Sequence, residues 1–343
     1  MSFFRRFAAF FLLLIFVSIL AYLAWLYLGK KTASDTENNL SVTEEVEPPI
    51  ALPSFLADSS RAWIEKQVAF GPRVPGSEAQ KRCADWLRKK LALYADTSWI
   101  QQATVIGYDG KELPCFNIIG RINPQSSRRV LLTCHWDSRP WADMESPDSQ
   151  DPIDAANDGA SGAGIWLEIA RLIQEDSLAL GIDFVFFDVE DYGKSGFDDS
   201  YCLGSQYWGR NPHVPGFKAD FCINLDMVGG RNARFHPEQY SVQQADWVRQ
   251  LIWSGARETG FSDLFQSEMV GPITDDHYYV HKLTGIPAVD VIDYSPQNQH
   301  GFGDYWHTRA DNLENIDSRT LQAVGQTMVH VIWNYNHRHF SDQ

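Results

Sequence analysis

The sequence predicts an α/β fold, a single globular domain with a central, mostly parallel mixed sheet flanked by helices. Three observations predict it. From about Ser54 onward, apolar runs of strand length alternate with longer stretches of helical spacing. The strand-like runs, such as "IDFVFFDV", are apolar almost throughout, as strands buried on both faces are. Several of these runs end in His, Asp or Glu, so their carboxyl ends would share one polar edge, where ligands of such sheets bind.

The N-terminus is read apart from this domain. Residues 1–6 form a short stub containing Arg5 and Arg6, expected on the cytoplasmic side. Residues 7–29 carry no charge and exceed the roughly 20 apolar residues that span a bilayer. They lack a clear small-x-small cleavage site, so an uncleaved transmembrane signal-anchor is expected. Arg5 and Arg6 stand against Lys30 and Lys31, so flanking charge hardly decides orientation. An N-terminus inside would carry the large C-terminal part out, to the periplasmic or extracellular side. Residues 30–53 are acidic and polar with little periodicity, and read as a flexible linker. Residues 54–343 are then the globular domain.

Within it, "EAQKRCADWLRKKLALY" has helical spacing, and "CFNIIGRI" and "RRVLLTCHWD" read as strands. "GASGAGIWLEIARLIQE" reads as a helix, "IDFVFFDVE" as a strand and "YCLGSQYWGR" as a helix. "DFCINLDMVG" is a strand, "QQADWVRQLIWSGARETG" and "DDHYYVHKLTG" are helices, "IPAVDVIDY" is the last strand and "SRTLQAVGQTMVHVIWNYN" the last helix. Of the 343 residues, 44% are hydrophobic and 13% aromatic, enough for a large core. A net charge of −15 without a basic cluster excludes nucleic acid as a partner. The five cysteines match no zinc-finger or thioredoxin spacing and read as buried small hydrophobes.

The chemistry gathers at the strand ends. "VLLTC" leads to His135 and Asp137, "IDFVFFDV" to Glu190 and Asp191, and "FCINL" to Asp226. Asp158 precedes a helix in "AANDGASG", and His307 follows the last strand in "GFGDYWHT". Adjacent acids at the mouth of a buried strand repel one another and lose hydration unless a cation holds them. A divalent ion would make one acid of the Glu190–Asp191 pair a ligand and leave the other as a base. Each residue also has a plainer reading: Asp158 and Asp275 as helix N-caps, Asp226 as a turn residue, His307 and His277 as hydrogen-bonded structural histidines, Trp306 as a core aromatic. Their joint occurrence in order, at strand ends, favours a site.

The order "HWD", "NDGASG", "VEDYG", "LDMVG", "YWHT" resembles the zinc aminopeptidase and glutaminyl cyclase superfamily, over essentially the whole chain after the linker. The resemblance implies a zinc ion on Asp158, Asp191 and His307, with Glu190 as general base and acid. One ion is expected. A second would use His135 and Asp226, as in the aminopeptidase branch, where the Asp158 equivalent bridges two ions. The usual Glu-Glu pair is Glu190-Asp191 here, and position assigns Asp191 as the ligand. Trp306-His307-Thr308 and Asp275-Asp276-His277 are similar to the cyclase branch, and "HWDSRPWAD" and "CLGSQYWGRNP" to its bacterial members. The disulfide of the animal members would need a partner for Cys134 where Ala163 stands, so none is expected.

For the cyclase branch the resemblance implies peptides or proteins with N-terminal glutamine as substrates. Zinc would act as Lewis acid, the substrate's own amine as nucleophile, and pyroglutamate and ammonia would be the products. Asp226 and Asp275 would hold Glu190 and the amine, and Trp306, with Phe197, would wall the glutamine side chain. The alternatives are a dinuclear zinc aminopeptidase and a catalytically inactive ectodomain that binds a partner.

Overall fold

The computed structural model describes residues 15–27 and 51–338. Residues 15–27 are helical with exposed side chains. No helix among the described residues is long and apolar enough to cross a membrane. The rest of the predicted anchor, the stub and residues 30–50 of the predicted linker lie outside the described residues.

The compact unit runs over Ile50–Gln343. Its elements in chain order are α1 (Ala57–Val68), α2 (Glu78–Leu91), β1 (Thr97–Ile106), β2 (Glu112–Ile122), β3 (Arg129–His135), α3 (Ala160–Glu175) and β4 (Gly181–Phe187). There follow α4 (Leu203–Arg210), β5 (Phe221–Asp226), α5 (Gln239–Glu258), α6 (Asp276–Thr284), β6 (Ala288–Ile292) and α7 (Ser318–Arg338). The strand order is β1-β2-β4-β3-β5-β6. β3, β4, β5 and β6 are parallel, while β2 runs antiparallel to both β1 and β4. The mixed, mostly parallel sheet expected from the sequence is therefore present. β1 and α1 were not expected: β1 is an edge strand with only Val105 buried, and α1 buries only Ser60, Ile64 and Gln67. Neither carries a strong apolar period.

The strands divide their side chains between two cores, as a period of two requires. On one face Ile182, Phe184 and Phe186 of β4 join Trp166, Val248 and Val329 from α3, α5 and α7. On the other face Val185 and Phe187 meet Trp208 of α4 and Val280 of α6. Burial on both faces explains why β3 to β6 are apolar runs rather than alternating ones. Helix α3 approaches closely: a Cβ on Gly162 would lie 2.5 Å from the Leu225 carbonyl oxygen. The five cysteines are buried free thiols.

Register fixes the functional edge. His135 lies beside Phe187 across β3 and β4, and Asp226 beside Ile292 across β5 and β6. The parallel strands thus deliver their following loops to one side of the sheet.

Candidate active site

The bend after β4 separates the two adjacent acids. Val189 has a φ of 54°, a left-handed conformation that a β-branched residue adopts only under constraint. The constraint comes from Asp137, just past β3. Its Oδ1 accepts the Glu190 N–H at 3.1 Å and its Oδ2 accepts the Asp191 N–H at 3.2 Å. Past this bend, Glu190 and Asp191 find different partners.

Asp191 turns to cations. Arg139 Nη1 donates to its Oδ1 at 2.9 Å, and His307 Nε2 lies 3.3 Å from the same oxygen. Arg139 is itself held by Asp143 through bonds of 2.7 and 2.6 Å. Burial alone would raise the Asp191 carboxyl, but the charges of His307 and Arg139 outweigh it and hold it at about 2. Glu190 has no such company. Burial pushes it well above the usual carboxylate range, the His135 charge opposes this in part, and Asp191 and Asp275 add to the rise.

Asp158 enters from the loop before α3. Asp311 accepts the N–H groups of Asn157 and Asp158 at 2.8 and 2.9 Å and fixes this loop. Gly159 follows at φ 113°, where a Cβ would meet the Asp137 carbonyl oxygen at 2.4 Å. Burial, reinforced by the Asp191 charge, pushes Asp158 up to about 7. His135 Nε2 lies 3.1 Å from both Asp158 Oδ1 and Asp226 Oδ1. His307, also left-handed at φ 54°, stacks on Trp306 with ring centroids 3.7 Å apart. Asp275 is the N-cap of α6: Oδ1 accepts the Asp276 N–H, and Oδ2 accepts from Asn224 Nδ2 at 2.6 Å. The cap reading holds, and the site's cavity is lined by the same residue. Burial and the Asp226 charge push it up to about 6.

These groups surround a cavity of about 210 Å³. Asp158, Glu190, Asp191, Asp226, Asp275 and His307 line it, with Ile273, Ile292, Phe302 and Trp306 as apolar walls. Phe197 is a correction: it does not line the cavity. Ser200 closes the loop around it by bonding both the N–H and the carbonyl of Lys194. The Phe197 ring is half exposed and packs on Tyr108 at 5.4 Å. Phe302, 4.6 Å from Trp306 between centroids, is the second aromatic wall. His277 is fully buried and lies between Glu238, 3.1 Å away, and Asp290, 3.6 Å away, in keeping with a structural residue.

Donor atoms of Asp158, Asp191 and His307 all lie within 4.8 Å of one another, as do those of His135, Asp158 and Asp226. Asp158 Oδ2 and Asp191 Oδ2 are buried without a hydrogen-bond partner. A buried carboxylate oxygen left unpaired is costly. Two such oxygens beside an imidazole are the donor types a zinc ion takes, so the residues fit one. Sequence reasoning placed Asp137 at this edge without a role and missed Arg139, Asp311 and Phe302 as supports. All four stand inside or beside the quoted motifs, but the partners of Asp137, Arg139 and Asp311 are remote in the chain.

The matching family is described as Peptidase family M28, over residues 117–332, and the chain belongs to this family. Among solved structures it is similar to Tannerella forsythia glutaminyl cyclase, at 50% identity, covering 82% of this chain and 99% of that one, with a TM-score of 0.80. It is also similar to a Zn-dependent exopeptidase from Parabacteroides distasonis, at 47% identity over 83% of this chain and 100% of that one, with a TM-score of 0.81. Bovine glutaminyl-peptide cyclotransferase is 27% identical over 307 residues, 78% of each chain.

Proposed function

We propose that this chain is a zinc-dependent glutaminyl-peptide cyclotransferase that converts N-terminal glutamine of peptides to pyroglutamate and releases ammonia. One observation carries the reading: a single cavity presents Glu190, Asp226 and Asp275 together with the Trp306–Phe302 wall. Among the described residues no lysine or arginine pairs with these three acids, and His135 is the only basic side chain that reaches Glu190 and Asp226. An amine is the counter-charge they suit. The likeness to the Tannerella enzyme supports the same reading.

Asp158, Asp191 and His307 would hold the zinc, which supplies Lewis-acid polarisation of the glutamine carboxamide. Trp306 and Phe302 bind the side chain, and Ile273 and Ile292 limit water. Asp226 and Asp275 orient the substrate's α-amine. The amine nitrogen bonds to the carboxamide carbon while the C–NH₂ bond breaks. Glu190 takes a proton from the amine and returns it to the leaving ammonia, so no water is consumed. Nucleophile and electrophile belong to one molecule, which lowers the entropic barrier.

The second reading, a dinuclear zinc aminopeptidase, is favoured by the donor group of His135, Asp158 and Asp226. The uncharged run over residues 7–29 supports a membrane anchor, and a signal-anchor with its N-terminus inside would place the catalytic domain outside the cytoplasm. Recovery of the protein in the soluble cytoplasmic fraction would overturn that placement. Ammonia release tests the activity. A glutamine-initiated peptide should yield ammonia, a chelator should stop it and zinc should restore it. No release by zinc-loaded enzyme would overturn the proposal.

A further inference from the structure

Two left-handed residues face each other across the bend after β4. Val189 makes the bend, and Cys202, at φ 58°, begins α4. The Cys202 N–H donates to the Glu190 carbonyl at 2.8 Å, and the next N–H, of Leu203, to the Val189 carbonyl at 3.0 Å. The Cys202 thiol lies 3.2 Å from Glu190 Oε1. This start of α4 cannot shift easily, because a Cβ on Gly204 would sit 2.1 Å from the Asp188 carbonyl oxygen. Residue 202 therefore grips Glu190 by backbone and side chain at once, while Asp137 holds the Glu190 N–H from β3. Burial and the Glu190 charge push the Cys202 thiol well above its usual range, so it remains an S–H donor.

We propose that Cys202 is a positioning residue for Glu190: its S–H donates to Oε1, fixes the carboxylate rotamer and leaves Oε2 to take and return the proton. Oε2 is the oxygen that lies 3.8 Å from His135 Nδ1. A glutamate side chain free to rotate would lose part of its alignment with the amine at each turnover. The inference rests on the reading of Glu190 as the base.

The test compares Cys202→Ala with Cys202→Ser in the full-length, zinc-loaded enzyme. Alanine and serine have nearly the same volume and differ in the donor. Cys202→Ala should lower kcat roughly tenfold with KM and zinc content unchanged, and Cys202→Ser should restore most of it. Equal impairment of both variants would assign Cys202 to packing and overturn the inference, as would wild-type kcat in Cys202→Ala. Should Cys202→Ala fail to fold, Cys202→Val fills the site without a donor and is compared with Cys202→Ser in the same way. Glu190→Gln separates the two readings. If Glu190→Gln is inactive while Cys202→Ala matches wild type, only the Cys202 inference falls. If Glu190→Gln keeps near-wild-type kcat, the base assignment falls and the inference with it.

Discussion

Asp191 and Glu190 are neighbours in the chain and follow the same strand, yet their surroundings differ. Around Asp191 stand Arg139 and His307, and the carboxyl is held at about 2. Around Glu190 stand Cys202, Asp275 and a shared His135, and its carboxyl is pushed well up. Burial acts on both in the same direction, so neighbouring cations make the difference. One side of the cavity keeps the Asp191 carboxylate charged, as the proposed metal ligand would need to be. On the other side burial raises the Glu190 carboxyl, in the direction that suits the proposed exchange of a proton with the substrate. Asp183, at the far end of β4, marks the charged extreme: fully buried, it pairs with Arg121, Arg129 and His213 at 2.7, 2.6 and 3.0 Å.

The largest expected effect breaks the proton-handling side alone. Glu190→Gln should lower kcat by about 10²–10⁴-fold while zinc stays bound, checked by turnover and elemental analysis on one sample. On the other side, Arg139→Gln removes the cation that orients Asp191. Zinc affinity should fall by about 10–100-fold in a competition titration with a chelator. Trp306→Ala should raise KM for a glutamine-initiated peptide about tenfold, equivalent to ~1.4 kcal/mol of lost binding, with zinc content unchanged.

The smallest effect on turnover concerns Asp183. Burial would raise its carboxyl, but His213 and Arg129 hold it below the ordinary value of 3.8. A depressed folded value contributes stability that is present above the unfolded value and lost as pH falls through the folded one. Wild-type thermal stability should therefore decline below about pH 4, and Asp183→Asn should show a flatter acid limb with kcat unchanged. An equally steep limb in the variant would contradict this.

What the sequence disclosed follows the same division. His135, Asp158, Glu190, Asp191 and Asp226 were legible because each stands at or just past a strand end or before a helix start, where the loops of a parallel sheet converge, and His307 because its loop motif completes the order of the resemblance. The residues that give them their character were not. Arg139 reaches Asp191 across 52 positions of chain, and Asp311 reaches Asp158 across 153; periodicity carries no signal for such pairs. Phe197 sits six residues beyond Asp191, which suggested a cavity wall, but the loop closed by Ser200 turns it to Tyr108. Phe302, in an equally aromatic loop, takes that place. β1 and α1 escaped because an edge strand and a helix with a narrow buried stripe need little apolar sequence.

The central claim is that this cavity closes a glutamine side chain onto its own amine rather than adding water to a peptide bond. Mass spectra of a glutamine-initiated and a leucine-initiated peptide, each incubated with the zinc-loaded enzyme, test it most directly. The account predicts loss of one ammonia from the glutamine peptide and an untouched leucine peptide. Release of free leucine or free glutamine would contradict it, and would make His135 and Asp226 ligands of a second ion.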